Sequence, residues 1–251
     1  MIYVRSTNAR NFDERTLWYR HNLAGIRLII TFTLWLVAAF LIYLLWKNRL
    51  ALISYTLLHW ALILVFPAIA ALYTFKIPGL YFKKIRQIGW LKPFIVGLTW
   101  SGWVTVYPVL VWQAQRGYIN KSSARLSWLF WLQNFLFISI LAIIFDIKDY
   151  RNDVRFQLKT YPATLGVRNT FWYVVYPVTI VNIIIFLLFQ FQHDFSVWQT
   201  VVQSIPYLLL VWVLLTYRKT RSVLYYLVAI DGLMFLKAIC GIISITFLNR
   251  T

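Results

Sequence analysis

Seven stretches of this sequence, near 24–46, 52–75, 93–112, 127–145, 170–191, 200–217 and 223–246, are almost continuously apolar. Each is about 18 or more residues long, enough for an α-helix to cross the roughly 30 Å hydrocarbon layer of a bilayer. In that layer every backbone N–H and C=O needs an internal partner, and a helix supplies one for each within a single segment. Of the 251 residues, 61% are hydrophobic, and the mean hydropathy is +0.68. A water-soluble domain of this size has no core large enough to hide them. The expectation is an all-α fold, a polytopic transmembrane helical bundle. Its linkers are short, so residues 1–251 are read as a single membrane domain. No internal repeat, low-complexity tract or cleavable signal segment is read along the chain, because the first 22 residues are polar and basic.

The formal net charge is +18, and the distribution of its 25 Lys and Arg residues predicts an orientation. With the N-terminus inside, the outer segments hold six: Lys47, Arg49, Arg116, Lys121, Arg125 and Arg250. Lys237 lies within a span, and the remaining eighteen fall on inner segments. Such a bias predicts a cytoplasmic N-terminus. The positive charge then serves topology and contact with anionic membrane lipids, not nucleic acid. Residues 76–92, KIPGLYFKKIRQIGWLK, read as an amphipathic segment at the headgroups. Cys240 is the only cysteine, which excludes an intramolecular disulfide.

Against this basic background, three of the seven acidic residues crowd into residues 146–155, DIKDYRNDVR. On a helix advancing about 100° per residue, Asp146, Asp149 and Asp153 fall within about 60° of one another. Lys148, Arg151 and Arg155 take the opposite face. No acid has a basic residue three or four positions away within the stretch. Like charges at those spacings cost roughly 0.2–0.5 kcal/mol per pair unless a cation lies between them. Magnesium is often held by one or two carboxylates together with substrate phosphates. The pattern therefore predicts a magnesium–phosphate site in an acidic cytoplasmic loop, 146–168. Asp146, Asp149 and Asp153 are the candidate metal ligands, and Arg151, Arg155 or Lys159 can contact phosphate oxygens beyond the metal's reach; Arg155 and Lys159 are the pair expected to do so.

Asp149-Tyr-Arg-Asn-Asp153, followed by VRFQL, Lys159-Thr160, YPATL and Gly166, resembles the second aspartate-rich motif of the UbiA-type membrane prenyltransferases. That motif is a DxxxD, a basic loop ending in Lys-Ser/Thr, and a closing glycine. Asp146 matches a frequent upstream acid. The family commonly has a glycine two residues before the lysine, where this chain has Gln157. The resemblance implies a nine-helix bundle, here lacking its first two helices, since four spans precede the acidic loop and three follow it. The family's first motif, N-x-x-x-D-x-x-x-D, is not found; Asn8, Asn11 and Asp13 have a different spacing.

What the resemblance implies chemically is Mg2+-dependent transfer of a prenyl group from a prenyl diphosphate to a lipophilic acceptor, such as an aromatic or quinone precursor. Asp149 and Asp153 are then the catalytic acids. Tyr107, Trp112, Trp128 and Trp131 are candidate faces for an allylic cation. The alternative is a non-catalytic membrane protein on the same scaffold that binds a prenyl phosphate or lipid. A retinal-type Schiff base at Lys237 is disfavoured, because the first six spans contain no internal Asp or Glu to face it.

Overall fold

The structure is a computed structural model and describes residues 21–47, 49, 53, 55–74, 89–116, 121–155, 157–216 and 223–247. The chain divides into two compact units, Met1–Tyr55 and Thr56–Thr251. The first contains α1 (Leu23–Lys47), whose 25 residues bury no side chain.

The second unit begins with α2 (Leu57–Thr74). A 3-10 turn (Gly89–Leu91), α3 (Lys92–Ser101), a π turn (Gly102–Val106) and α4 (Tyr107–Arg116) follow as one rod. Then come α5 (Lys121–Lys148), the short α6 (Tyr150–Arg155), α7 (Tyr161–Leu165) and α8 (Val167–Thr170). A second π turn (Phe171–Val175) leads into α9 (Tyr176–Gln192), and α10 is Val197–Thr216. Last come α11 (Val223–Tyr226), a third π turn (Leu227–Asp231) and α12 (Gly232–Phe247).

Among the described residues, six helical segments are long and apolar enough to cross a membrane: 23–47, 89–113, 128–148, 167–192, 197–216 and 228–247. The all-α polytopic bundle expected from the apolar runs is what the chain forms. The run near 52–75 differs. Its apolar helix, Leu57–Tyr73 among the described residues, has 17 residues, the lower end of the length that crosses a bilayer. Most of the 76–92 segment lies outside the described residues; its last four residues begin the α3 rod.

Helix α5 is the centre of the second unit. It packs against α3 and against α9, while α10 pairs with α12. Ile140, Ile143, Ile144 and Ile147 recur at the i, i+3, i+4, i+7 spacing of one helical face and are essentially unexposed. Around them gather Val175, Phe186, Tyr207, Leu210 and Tyr226. Gly97 permits the close approach of α3, because a Cβ there would strike Ser139 and come within 2.9 Å of the Phe135 carbonyl oxygen. Small residues serve this purpose between membrane helices, where backbones pack closely. Polar ties join other helices. Asn134 Nδ2 donates to Thr105 Oγ1 at 2.9 Å, Gln190 to Gln203 at 2.7 Å, and Gln203 to Ser244 Oγ at 2.7 Å.

Contrary to the reading of the chain as free of repeats, two of these rods share a pattern. PFIVGLTWSGWVTVYPV (93–109) and PATLGVRNTFWYVVYPV (162–178) agree at Pro, Gly, Trp, Val, Tyr, Pro and Val in the same register. Pro93 and Pro162 both stand at the start of a helix. Each rod has its π turn at the matching place, where Tyr107 N–H donates to Gly102 O and Tyr176 N–H to Phe171 O. The cause is the proline that follows. Pro108 and Pro177 have no N–H and crowd the carbonyl four residues back, so the ladder widens to i→i−5 immediately before them.

Candidate functional site

The acidic stretch is not one continuous helix. Helix α5 ends at Lys148, Asp149 is a turn, and α6 begins at Tyr150. Asp149 N–H donates to Asp146 O at 3.1 Å, a tightened i→i−3 bond, and Asp153 N–H to Asp149 O at 2.9 Å. The joint changes the surroundings of each carboxylate. Lys148, expected on the opposite face, reaches Asp149 at 3.7 Å and lies 3.9 Å from the Phe145 ring centroid.

Asp146 is buried and forms an ion pair and hydrogen bond with Lys92 Nζ at the start of α3. The cation beside this carboxylate is therefore a lysine from 54 residues earlier in the chain. Asp153 is also buried and accepts a hydrogen bond from Thr160 Oγ1 at 2.9 Å. Burial raises its carboxyl above the usual aspartate range. The Thr160 bond and the charge of Lys92 oppose that rise, and Asp149 reinforces it. The Asp149 side chain is 40% exposed. Among the described residues, no group of three or more His, Cys, Asp or Glu side chains is arranged to hold a metal ion. The joint at Asp149 leaves that carboxylate the most open of the three, while Asp146 is held by Lys92 and Asp153 by Thr160.

The loop between α6 and α7 folds back on the acids. Leu158 N–H donates to Asp153 O at 2.9 Å, and Gln157 N–H to Val154 O at 3.2 Å. Gln157 turns the chain with φ 52°, a left-handed conformation that glycine adopts without steric cost. The backbone that follows rests on the α3 rod, because a Cβ at Gly89 would lie 2.6 Å from the carbonyl carbon of Lys159 and from Thr160 N. Arg155 and Lys159 are exposed beside the acids. Phe94 meets Tyr161 edge-on at 6.3 Å, an aromatic pair at the same end, and burial raises the Tyr161 hydroxyl.

The aromatic candidates named from sequence stand elsewhere. Trp128 stacks on Trp131 at 4.8 Å, 18 and 15 residues before Asp146 on the same helix, which is about 27 and 22 Å along it. Tyr107 donates its hydroxyl to the Ile63 carbonyl on α2, and Trp112 lies further along that rod. None is brought to the acids. Lys92 and the Phe94–Tyr161 pair were missed. The only signal for Lys92 was a lone lysine at the mouth of a span, which reads equally well as a topology charge. Asn8, Asn11 and Asp13 lie outside the described residues. No family model, no curated protein and no solved structure matches this chain.

Proposed function

We propose that the acidic end binds a prenyl diphosphate on the cytoplasmic side of the membrane and transfers its prenyl group to a lipophilic acceptor, as the resemblance to UbiA-type prenyltransferases implies. One observation carries the reading. Gln157 occupies a glycine-favouring turn at the position where that family commonly has glycine, and the turn closes the loop so that Thr160 bonds Asp153. The Lys/Arg distribution supports the orientation.

Magnesium needs one or two carboxylates alongside substrate oxygens, and Asp149 and Asp153 supply that number. Asp146 keeps Lys92 in place rather than serving as a third ligand. When bound, the ion neutralises charge developing on the diphosphate leaving group. Arg155 and Lys159 add charge-assisted hydrogen bonds to phosphate oxygens. Phe94 and Tyr161 offer ring faces near the first isoprene unit.

The test is magnesium-dependent binding of a prenyl diphosphate to the purified chain in detergent, beside an Asp149→Asn/Asp153→Asn variant. Binding is expected to require both the ion and the two acids. Binding by the folded double variant equal to wild type would exclude the site. Binding without turnover of any aromatic acceptor would favour the prenyl-phosphate-binding alternative.

A further inference from the structure

We propose that Lys237 is the charge partner of a lipophilic carboxylate whose chain lies in the groove between α10 and α12. The inference is independent of the acidic end.

The amino group of Lys237 is buried and has no hydrogen-bonding partner among the described residues. It lies 4.4 Å from the ring centroid of Phe137 on α5 and 5.1 Å from that of Tyr207 on α10. Ring faces attract a cation but do not neutralise it. The packed helices do not either. The segments 121–145, 161–192 and 197–216 contain no Asp or Glu. Asp146 is nine residues along α5 from Phe137, about 14 Å away, and is already paired with Lys92. Asp231, six residues before Lys237 on its own rod, is exposed. An intramembrane ionisable group marks a candidate functional site, and one without a carboxylate among the described residues is open to a ligand that brings the opposite charge.

The chemistry narrows that ligand. A single cation matches a monoanion, and the surroundings require the rest of the molecule to be apolar. Tyr207, whose hydroxyl is held only by a long 3.5 Å bond to Gln133 Oε1, is a second donor for a carboxylate at this position. The groove supplies room for a chain. It has a volume of about 510 Å3 and is lined by Leu209, Trp212, Val213, Val228, Leu233 and Leu236; Lys237 does not line it but follows Leu233 by one helical turn, at the groove's end. That volume is within the range of about 300–1,000 Å3 usual for lipophilic ligands.

The experiment uses radiolabelled oleate with the full chain in zwitterionic-lipid nanodiscs, comparing wild type, Lys237→Met and Lys237→Arg. One saturable equivalent is expected, with binding at least about tenfold weaker in Lys237→Met and within about threefold of wild type in Lys237→Arg, the cost of losing one charged hydrogen bond. Unlabelled oleic acid should displace the label, while oleyl alcohol and acetate should not. The Asp149→Asn/Asp153→Asn variant should bind oleate as wild type does, which separates this site from the acidic end. Absence of saturable binding, wild-type binding in Lys237→Met, or displacement by oleyl alcohol as effective as by oleic acid would overturn the proposal. If Lys237→Met does not fold, the arginine variant and the paired competitors on wild type decide the question.

Discussion

Lys92, at the first turn of α3, neutralises Asp146, at the last turns of α5. The two side chains are unequally enclosed, with 40% exposure for the lysine and 3% for the aspartate. Replacing Lys92 by Met leaves a buried carboxylate without its cation. The expected destabilisation is about 1–3 kcal/mol, below the full cost for a wholly buried pair because water reaches the lysine. Adding Asp146→Asn should recover part of the loss. Thermal unfolding of the two single variants and the double variant, analysed as a cycle, measures the coupling. Additive effects would mean that the pair contributes nothing.

Gly89→Ala forces a Cβ against the backbone of Lys159 and Thr160, where no side chain can move aside. Overpacking of this kind costs about 1–3 kcal/mol. The loop should separate from the α3 rod and weaken the Thr160–Asp153 bond. Faster proteolysis between α6 and α7 would report the separation, and an unchanged digestion rate would contradict it.

Gln157→Gly should move stability the other way. A non-glycine residue in the left-handed region costs roughly 1–2 kcal/mol, and the entropy that glycine loses on folding returns roughly 0.5–1 of it. The net expectation is a gain of between zero and about 1.5 kcal/mol in thermal unfolding. Clear destabilisation would show that the Gln157 side chain has a use that its backbone does not reveal.

Asp153 carries a pH signature. Its ordinary value is 3.8, and the folded value is higher because of burial. Folding therefore takes up protons in the window between the two. This group's contribution to stability falls as pH rises through that window and levels off above it. Asp153→Asn has no such dependence. Melting temperatures measured from about pH 4 to pH 7 should show wild type losing ground to the variant as pH increases, and a constant difference would refute the assignment.

The apolar runs made the long helices legible, since length and hydropathy alone separate 23–47 or 167–192 from a soluble pattern. Helical periodicity also gathered Asp146, Asp149 and Asp153. It carried no information about the joint at Asp149, because an i→i−3 tightening leaves no mark in residue type. Lys92 was out of reach for a different reason. A pairing across 54 residues is decided by how α3 packs on α5, which depends on the close approach at Gly97. The repeated Trp-x-x-Val-Tyr-Pro-Val was present in the sequence throughout. It is thinly spread among substituted apolar positions, and its meaning emerges only when both copies place a π turn before the proline.

The long separation of Lys92 and Asp146 also bears on how the protein is built. During synthesis the α3 rod emerges first, and its lysine reaches the membrane boundary before its partner exists. Until α5 arrives, that charge must be met by headgroups or water, and a half-inserted chain is held in an unfinished state at a cost. Arrival of Asp146 ends it. The ion pair can close only when the central helix has taken its place, so loss of either residue is expected to slow biogenesis even where the finished bundle tolerates it.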